Sequence, residues 1–121
     1  DDTLSFFKNH LSDKGTLIIA VPNYTSFDAQ HYKEYWAGYD VPRHIYHFNL
    51  DSVSKLLSKF GFTHVKSLPM KFDSFYVSML SEKYKTGSIR YLNAFINGLR
   101  SNFRARDPNA YSSVIYIFKK A

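Results

Sequence analysis

The segment from Asp40 to His47 carries the residues of this chain best suited to chemistry. Arg43 can hold an anionic group through paired N–H donors. A histidine gains and loses its proton near neutral pH, which makes His44 a candidate general base. Asp40, Arg43 and His47 are candidate substrate-binding residues. The structural alternative is that Arg43 pairs with Asp40 to fix the loop, while His44 hydrogen-bonds to the backbone.

The same histidines raise the question of a metal site. His44 and His47 are three residues apart, and Asp40 and His31 precede them. On a helix this spacing could place side chains around a shared metal ion. Pro42 argues against a helix here, because proline has no N–H to donate to a helical hydrogen bond. We therefore predict no metal site.

Two further residues are predicted to line a substrate site. Trp36 lies among several tyrosines and could form the aromatic wall of a cleft. Asn23 directly follows an apolar segment over 16–21, at a position where ligands of open α/β sheets bind. Each has an alternative: the aromatic loop could simply cover the end of the sheet, and Asn23 could cap a turn.

The elements that must position these residues begin with an amphipathic helix over 3–12. A short apolar strand follows over 16–21, and its composition is typical of a strand buried on both faces of a parallel sheet. A long connection without a clear period covers 23–48, which we interpret as functional. Asn49 then caps a one-faced helix that ends at Gly61.

The second half of the chain continues the alternation. A strand is predicted over 62–68, then a helix over 74–83 capped by Asp73, and a third helix from about 88. Apolar residues of this last helix share one stripe, as in an amphipathic helix; they are Ile89, Leu92, Phe95, Ile96, Leu99 and Phe103. A final strand is predicted over 113–118. The order predicts an α/β fold.

Composition restricts the function classes. At 121 residues, one domain is expected. The absence of cysteine excludes disulfides, thiolate catalysis and cysteine-type zinc sites. No apolar run approaches the ~20 residues of a membrane span, and no signal-peptide pattern is present. We therefore predict a cytoplasmic protein without a membrane partner.

The first residue is not Met and the chain begins as if within a helix, so a fragment of a larger protein is expected.

Charge is distributed unevenly along the chain. Residues 1–50 carry a net charge of −2, and residues 51–121 carry +8. This asymmetry could mark an anionic partner. The charges are spaced rather than clustered, which favours a solvated helix face. Nucleic acid is not an expected partner, because the basic helix bearing Arg90 and Arg100 lacks aromatics that alternate with its cations.

Several short motifs in order resemble a known family. A glycine, an apolar strand and Pro-Asn occupy residues 15–23, and Trp36 and an Asp-x-Pro-Arg-His motif at 40–44 follow. Phe48-Asn49 and a helix ending in Gly-Phe complete the set, so that the resemblance covers residues 1 to about 68. This pattern resembles the class I S-adenosylmethionine-dependent methyltransferases. It is similar to the subgroup of ubiquinone-biosynthesis and surface-polysaccharide enzymes.

The resemblance implies the C-terminal half of a Rossmann-like sheet. The chain would hold the fifth, seventh and sixth strands in that spatial order, with the last strand antiparallel and helices on both faces. A helical insert at about 73–105 has no counterpart in the motif. Residues 1–121 would then form a single partial domain. The Gly-x-Gly turn that holds the cofactor is missing from the sequence, so no cofactor-binding residue is predicted here.

The resemblance also implies a function. The parent enzyme would use S-adenosylmethionine to methylate a hydroxyl of a small-molecule substrate, and this chain would supply the substrate-side wall. The N-terminal half of the same domain is the expected partner, and the chain alone is expected to be inactive. Without that half, the edge of strand 16–21 could pair with a second copy. Two alternatives are a basic binding module for an anionic partner and a catalytically silent family member.

Overall fold

A three-stranded sheet forms the centre of the computed structural model, which describes residues 2–121, so that Asp1 of the predicted domain lies outside it. The strands are β1 (Thr16–Pro22), β2 (Phe62–Pro69) and β3 (Ser113–Lys120). β3 lies in the middle and runs antiparallel to both neighbours. The predicted order, with the last strand antiparallel between the other two, is confirmed.

Helices alternate with the strands as the sequence predicts, so the α/β class is confirmed. Within the described residues they are α1 (Asp2–His10), α2 (Phe27–Tyr32), α3 (Leu50–Ser58), α4 (Asp73–Thr86) and α5 (Tyr91–Arg104). Short 3-10 turns cover Lys33–Tyr35, Ala37–Tyr39 and Pro108–Ala110. The predicted insert is the pair α4 and α5. None of these helices is long and apolar enough to cross a bilayer.

Local sequence accounts for the bounds of α3. The side chain of Asn49 accepts a hydrogen bond from the Ser52 N–H at 2.9 Å, and the Ser52 hydroxyl accepts one from the Asn49 N–H at 2.9 Å. This reciprocal pair satisfies two of the free N–H groups at the helix start. Gly61 follows the helix with a φ of +79°, a conformation that glycine adopts without steric cost. The predicted N-cap is therefore confirmed, whereas the C-cap residue is Lys59 and the left-handed Gly61 follows it by two residues.

The main hydrophobic core lies on one face of the sheet. Val114, Tyr116 and Phe118 alternate along β3 and are fully buried. Helix α3 packs on them through Val53 and Leu57, and apolar residues of α1 pack against the same cluster. Burial of this face supplies most of the apolar stabilisation that holds the two helices to the sheet.

The opposite face of the sheet differs from the prediction. The Ile18 side chain is 63% exposed and Ala20 is also exposed, whereas Leu17 on the core face is buried. Helix α4 reaches this face near the start of β3, where Asp73 contacts Ser113 and Tyr76 borders the same cavity as Ile115. The expectation of a first strand buried on both faces is therefore wrong for residues 2–121, and helices cover the second face only near the start of β3. The reason is that α1 and α3 both pack on the same side.

Helix α5 is also oriented against expectation. Its buried residues are small or polar, namely Ala94, Asn97, Gly98 and Ser101. A Cβ on Gly98 would lie 2.6 Å from a ring carbon of Phe75, so glycine allows α4 and α5 to approach closely. The apolar stripe points outward instead, with the side chains of Leu92 71% and Phe103 84% exposed.

A buried carboxylate joins the long connection to the rest of the fold. Asp28 is fully buried at the start of α2. It accepts hydrogen bonds from Trp36 Nε1 at 2.9 Å and from the Ser101 hydroxyl at 2.8 Å. It also accepts one from the Ser112 hydroxyl, just before β3. One side chain therefore connects α2, the segment around Trp36, α5 and the residue that precedes the sheet's central strand.

Substitution of Asp28 tests this arrangement. Asp28→Ala leaves three buried donors without an acceptor, and we expect it to lower the free energy of unfolding by about 3 kcal/mol. Asp28→Asn should cost less, because a serine hydroxyl can rotate to accept from the new amide. Urea denaturation measures both. The control is Asp51→Ala on the exposed first turn of α3, with a cost of about 0.5 kcal/mol; equal losses for Asp28→Ala and Asp51→Ala would contradict the assignment.

Candidate functional site

A cleft of about 360 Å³ opens beside the last residue of β1. One wall comes from the connection after α2 and includes Gly38, Asp40, Arg43 and His44. The other wall is one face of α4. Ligands of open α/β sheets bind beyond the carboxyl ends of strands, which is where this cleft lies. The cleft brings together three of the six predicted site residues.

Arg43 and His44 both have unengaged side-chain ends. The Arg43 guanidinium lies 3.9 Å from the Asp40 carboxylate, and the Arg43 side chain is 82% exposed. An exposed pair at this distance contributes little to stability, so it leaves the guanidinium donors available. The backbone N–H of His44 donates to the backbone carbonyl of Asp40 at 3.0 Å. Its imidazole ring has no hydrogen-bond partner within residues 2–121, whereas the Arg43–Asp40 pair is the one that the structural alternative predicts.

The α4 wall was not identified from the sequence as part of a site. It presents Asp73, Tyr76 and Tyr84 to the cleft, with Val77 and Leu80 between them. Tyr76 and Tyr84 are more than half exposed, so their hydroxyls can reach a bound molecule. The signal was the spacing of three and four residues, which places these side chains on one helix face.

Asp73 does not cap α4, contrary to the prediction. The N-cap residue is Phe72, and no side chain caps this end. The Asp73 carboxylate accepts a hydrogen bond from the hydroxyl of Ser113 at the start of β3 instead. This contact holds the first turn of α4 against the sheet.

Trp36 packs behind the cleft wall and does not line the cleft. Its side chain is only 2% exposed and is held by the hydrogen bond to Asp28. A Cβ on Gly38 would lie 2.4 Å from the Trp36 ring, so the ring is packed directly against the cleft wall. The structure thus places the indole behind the cleft wall, in the second hydrophobic cluster, and not among the lining residues.

Asn23 has a structural role. Its side-chain amide donates to the carbonyls of Asn109 at 2.7 Å and Tyr111 at 3.1 Å. Its side-chain oxygen accepts from the N–H and the hydroxyl of Thr25 at 3.1 and 2.7 Å. All the hydrogen-bonding positions of a fully buried amide are thus occupied. The turn-capping alternative fits this geometry, and no atom of Asn23 is free for substrate.

His47 lies outside the cleft. Its Nε2 donates to the Tyr39 carbonyl at 3.0 Å, and its ring packs edge-on against that of Tyr39. It borders a different, apolar cavity of about 450 Å³ near α1 and α3. The geometry makes His47 an anchor for the loop and separates it from Arg43 and His44. Within residues 2–121 no three His, Asp or Glu side chains converge on a possible metal position.

Two buried tyrosines titrate abnormally. Burial raises the pKa of Tyr32 to about 12, and the neighbouring Glu82 carboxylate contributes to this increase. Burial also raises the pKa of Tyr116 to about 12, with a smaller effect from Asp107. The Tyr32 hydroxyl donates to Glu82 and accepts from Asn97. The Tyr116 hydroxyl has no hydrogen-bond partner in the described part of the chain.

The raised pKa of Tyr116 predicts a loss of stability in alkali. Between pH 10 and about 12 the unfolded chain releases this phenol proton while the folded chain retains it, so stability falls as pH rises. We expect Tyr116→Phe to be at least neutral at pH 8, because no hydrogen bond is lost, and to reduce the decline above pH 10. Urea denaturation at both pH values measures this. The control is Tyr91→Phe, at an exposed tyrosine; an identical alkaline decline in the two variants would contradict the prediction.

Comparison with known proteins adds one match. A family model described as a methyltransferase domain matches residues 1–67. The match covers more than half of the chain and includes α1, β1, the connection with Arg43 and His44, α3 and most of β2. Helices α4 and α5 and strand β3 lie beyond it. No curated protein matches the chain.

Proposed function

The chain belongs to the methyltransferase domain family, and from this premise we propose that it forms the substrate-side wall of an enzyme that methylates a small-molecule hydroxyl. The observation that carries the proposal is the cleft beside β1. There the free side-chain ends of Arg43 and His44 face the exposed tyrosines of α4. Methyltransferases of this family generally use S-adenosylmethionine as the methyl donor.

The described residues do not fit that cofactor by themselves. A Gly-rich turn after a strand lets the backbone approach such a ligand, and the five glycines of this sequence are isolated from one another. We therefore propose that a segment outside these residues binds the cofactor, and that this chain alone has no activity. In this proposal β1, β3 and β2 are the fifth, seventh and sixth strands of a Rossmann-like sheet, which their order and directions support.

The residues of this chain would prepare the methyl acceptor. His44 takes the proton of the substrate hydroxyl, which makes the oxygen a stronger nucleophile. Arg43 binds an anionic group of the substrate through its free donors, while Asp40 orients the guanidinium. Tyr76 and Tyr84 contact the remainder of the substrate. Much of the catalytic benefit of such a wall comes from correct positioning of the acceptor.

Substitutions in the cleft test the proposal in a protein that includes the cofactor-binding segment. His44→Ala should lower kcat by about 10²-fold or more, because a general base is lost. Arg43→Ala should mainly raise KM, because an interaction present in both the ground state and the transition state is removed. Steady-state methylation of a panel of hydroxyl substrates measures both.

Matched variants away from the cleft provide the controls. His10→Ala removes an exposed histidine of α1, and Arg106→Ala removes an exposed arginine after α5. Both should retain wild-type kinetics. If His44→Ala and Arg43→Ala also turn over like the wild type, the cleft is a scaffold. A sequence preceding Asp1 that lacks a strand followed by a Gly-rich turn would contradict the assignment of the cofactor site.

We also propose that the isolated chain forms a homodimer through β1. This strand pairs with β3 on one side, and no described strand pairs with its other edge. Ile18 is exposed on the same strand. Free backbone donors and acceptors beside an apolar side chain favour pairing with a second strand.

Light scattering tests the dimer directly. We expect a mass of twice 14.1 kDa for the chain, and slow amide exchange for residues 17–21. Ile18→Lys should shift the protein towards the monomer, because edge lysines oppose strand pairing. Ile45→Lys, at a more exposed isoleucine outside the sheet, should not. A monomeric wild type with rapid exchange at 17–21 would refute the dimer.

A further inference from the structure

A second cleft, also of about 360 Å³, lies between the end of α4 and the start of α5. Three cationic side chains line it: Lys85, Arg90 and Arg100. The residues of α4 that line this cleft lie on one side of the helix. Leu80 and Tyr84 lie on the opposite side of the helix, which borders the candidate active site. The two clefts are therefore separate.

The three cations have no anionic partner in the described residues. The ion pairs within 4.0 Å there are Arg43 with Asp40 and Lys120 with Asp13, and neither involves this cleft. Glu82 is the one acidic residue of the lining. It is buried and accepts hydrogen bonds from Tyr32 and Asn97 instead. Three like charges around one cleft exceed the single carboxylate of Glu82 and repel one another, and a bound anion would relieve this repulsion.

His31 at the edge of the cleft reports the same positive field. Its pKa is lowered, first by burial and then by the charge of Lys85, with a smaller contribution from Arg100. The opposing effects of Glu82 and Asp28 do not cancel this shift. His31 is therefore more readily neutral than a free histidine, and the positive charge of the cleft resides on Lys85, Arg90 and Arg100.

We propose that this cleft binds a phosphate group. Arg90 and Arg100 can each offer paired N–H donors, which match the geometry of phosphate oxygens, and Lys85 adds a point charge. Thr86 and Asn93 supply neutral polar groups in the lining. The volume is sufficient for a phosphate with a small organic substituent, and Ile96 offers one apolar contact for it.

Two sources of phosphate fit this chemistry. One is a soluble phosphate ester. The other is the headgroup of an anionic lipid, because the exposed apolar stripe of α5 begins beside the cleft with Leu92 and Phe95. A basic amphipathic helix with such a stripe can lie on a membrane surface. Both sources require the same three cations.

Calorimetry and vesicle sedimentation distinguish the sources. The chain of 121 residues is titrated with pyrophosphate, and it is sedimented with phosphatidylcholine vesicles with and without phosphatidic acid. We expect Arg90→Gln and Arg100→Gln each to weaken binding of the productive probe by about tenfold, the loss of one charge-assisted pair. Arg106→Gln removes the same charge outside the cleft and should change binding by less than about twofold.

The outcomes separate specific from general charge effects. Pyrophosphate binding that shifts the amide signals of Thr86 and Asn93, without sedimentation on phosphatidic acid, indicates a soluble ligand. Sedimentation that requires phosphatidic acid and weakens in the two cleft variants indicates a lipid headgroup. The proposal is overturned if neither probe binds, or if Arg106→Gln weakens binding as much as Arg100→Gln does.

Discussion

The arrangement of both clefts depends on the buried carboxylate of Asp28. It holds the Trp36 indole, which lies under the wall of the candidate active site, and the Ser101 hydroxyl of α5. Its third donor, Ser112, precedes the central strand. A charge removed from water is tolerated only where several donors compensate it. This requirement fixes the relative positions of the long connection, the insert and the sheet more tightly than apolar packing alone would do.

Helix α4 connects the proposed catalytic chemistry and the proposed anion chemistry. One face contributes Asp73, Tyr76 and Tyr84 to the cleft beside β1, and the other contributes Glu82 and Lys85 to the basic cleft. The helix is held between them by polar contacts: the Ala37 N–H donates to the Ser81 hydroxyl at 2.8 Å, and Glu82 meets Tyr32. Directional bonds of this kind specify one orientation of a helix, whereas apolar contacts tolerate several.

Three of the predicted site residues lie outside the cleft for a shared physical reason. Trp36, Asn23 and His47 are residue types that bind ligands well, and the same donors and aromatic surfaces satisfy the interior of a protein equally well. Their sequence positions could not show which groups would bind them. In the fold, Trp36 donates to Asp28, Asn23 donates to the carbonyls of Asn109 and Tyr111, and His47 donates to the carbonyl of Tyr39. The outward orientation of the α5 stripe was not predictable for a related reason. An amphipathic pattern shows that two faces of a helix differ, but not which face packs against the rest of the protein.

The sequence by itself determined the three strands, the helices other than α2, their order and the N-cap of α3, because hydrophobic period and the Asn49 side chain act over a few residues. Its motifs from 15 to 62 pointed to the methyltransferase family, and Arg43 and His44 stay predictions that the cleft lining is consistent with. The tertiary structure alone decided which side chains are exposed, that α4 completes the cleft, and that Lys85, Arg90 and Arg100 converge. These features depend on contacts between residues far apart in the chain, such as Asp28 with Ser112, and no local pattern encodes them.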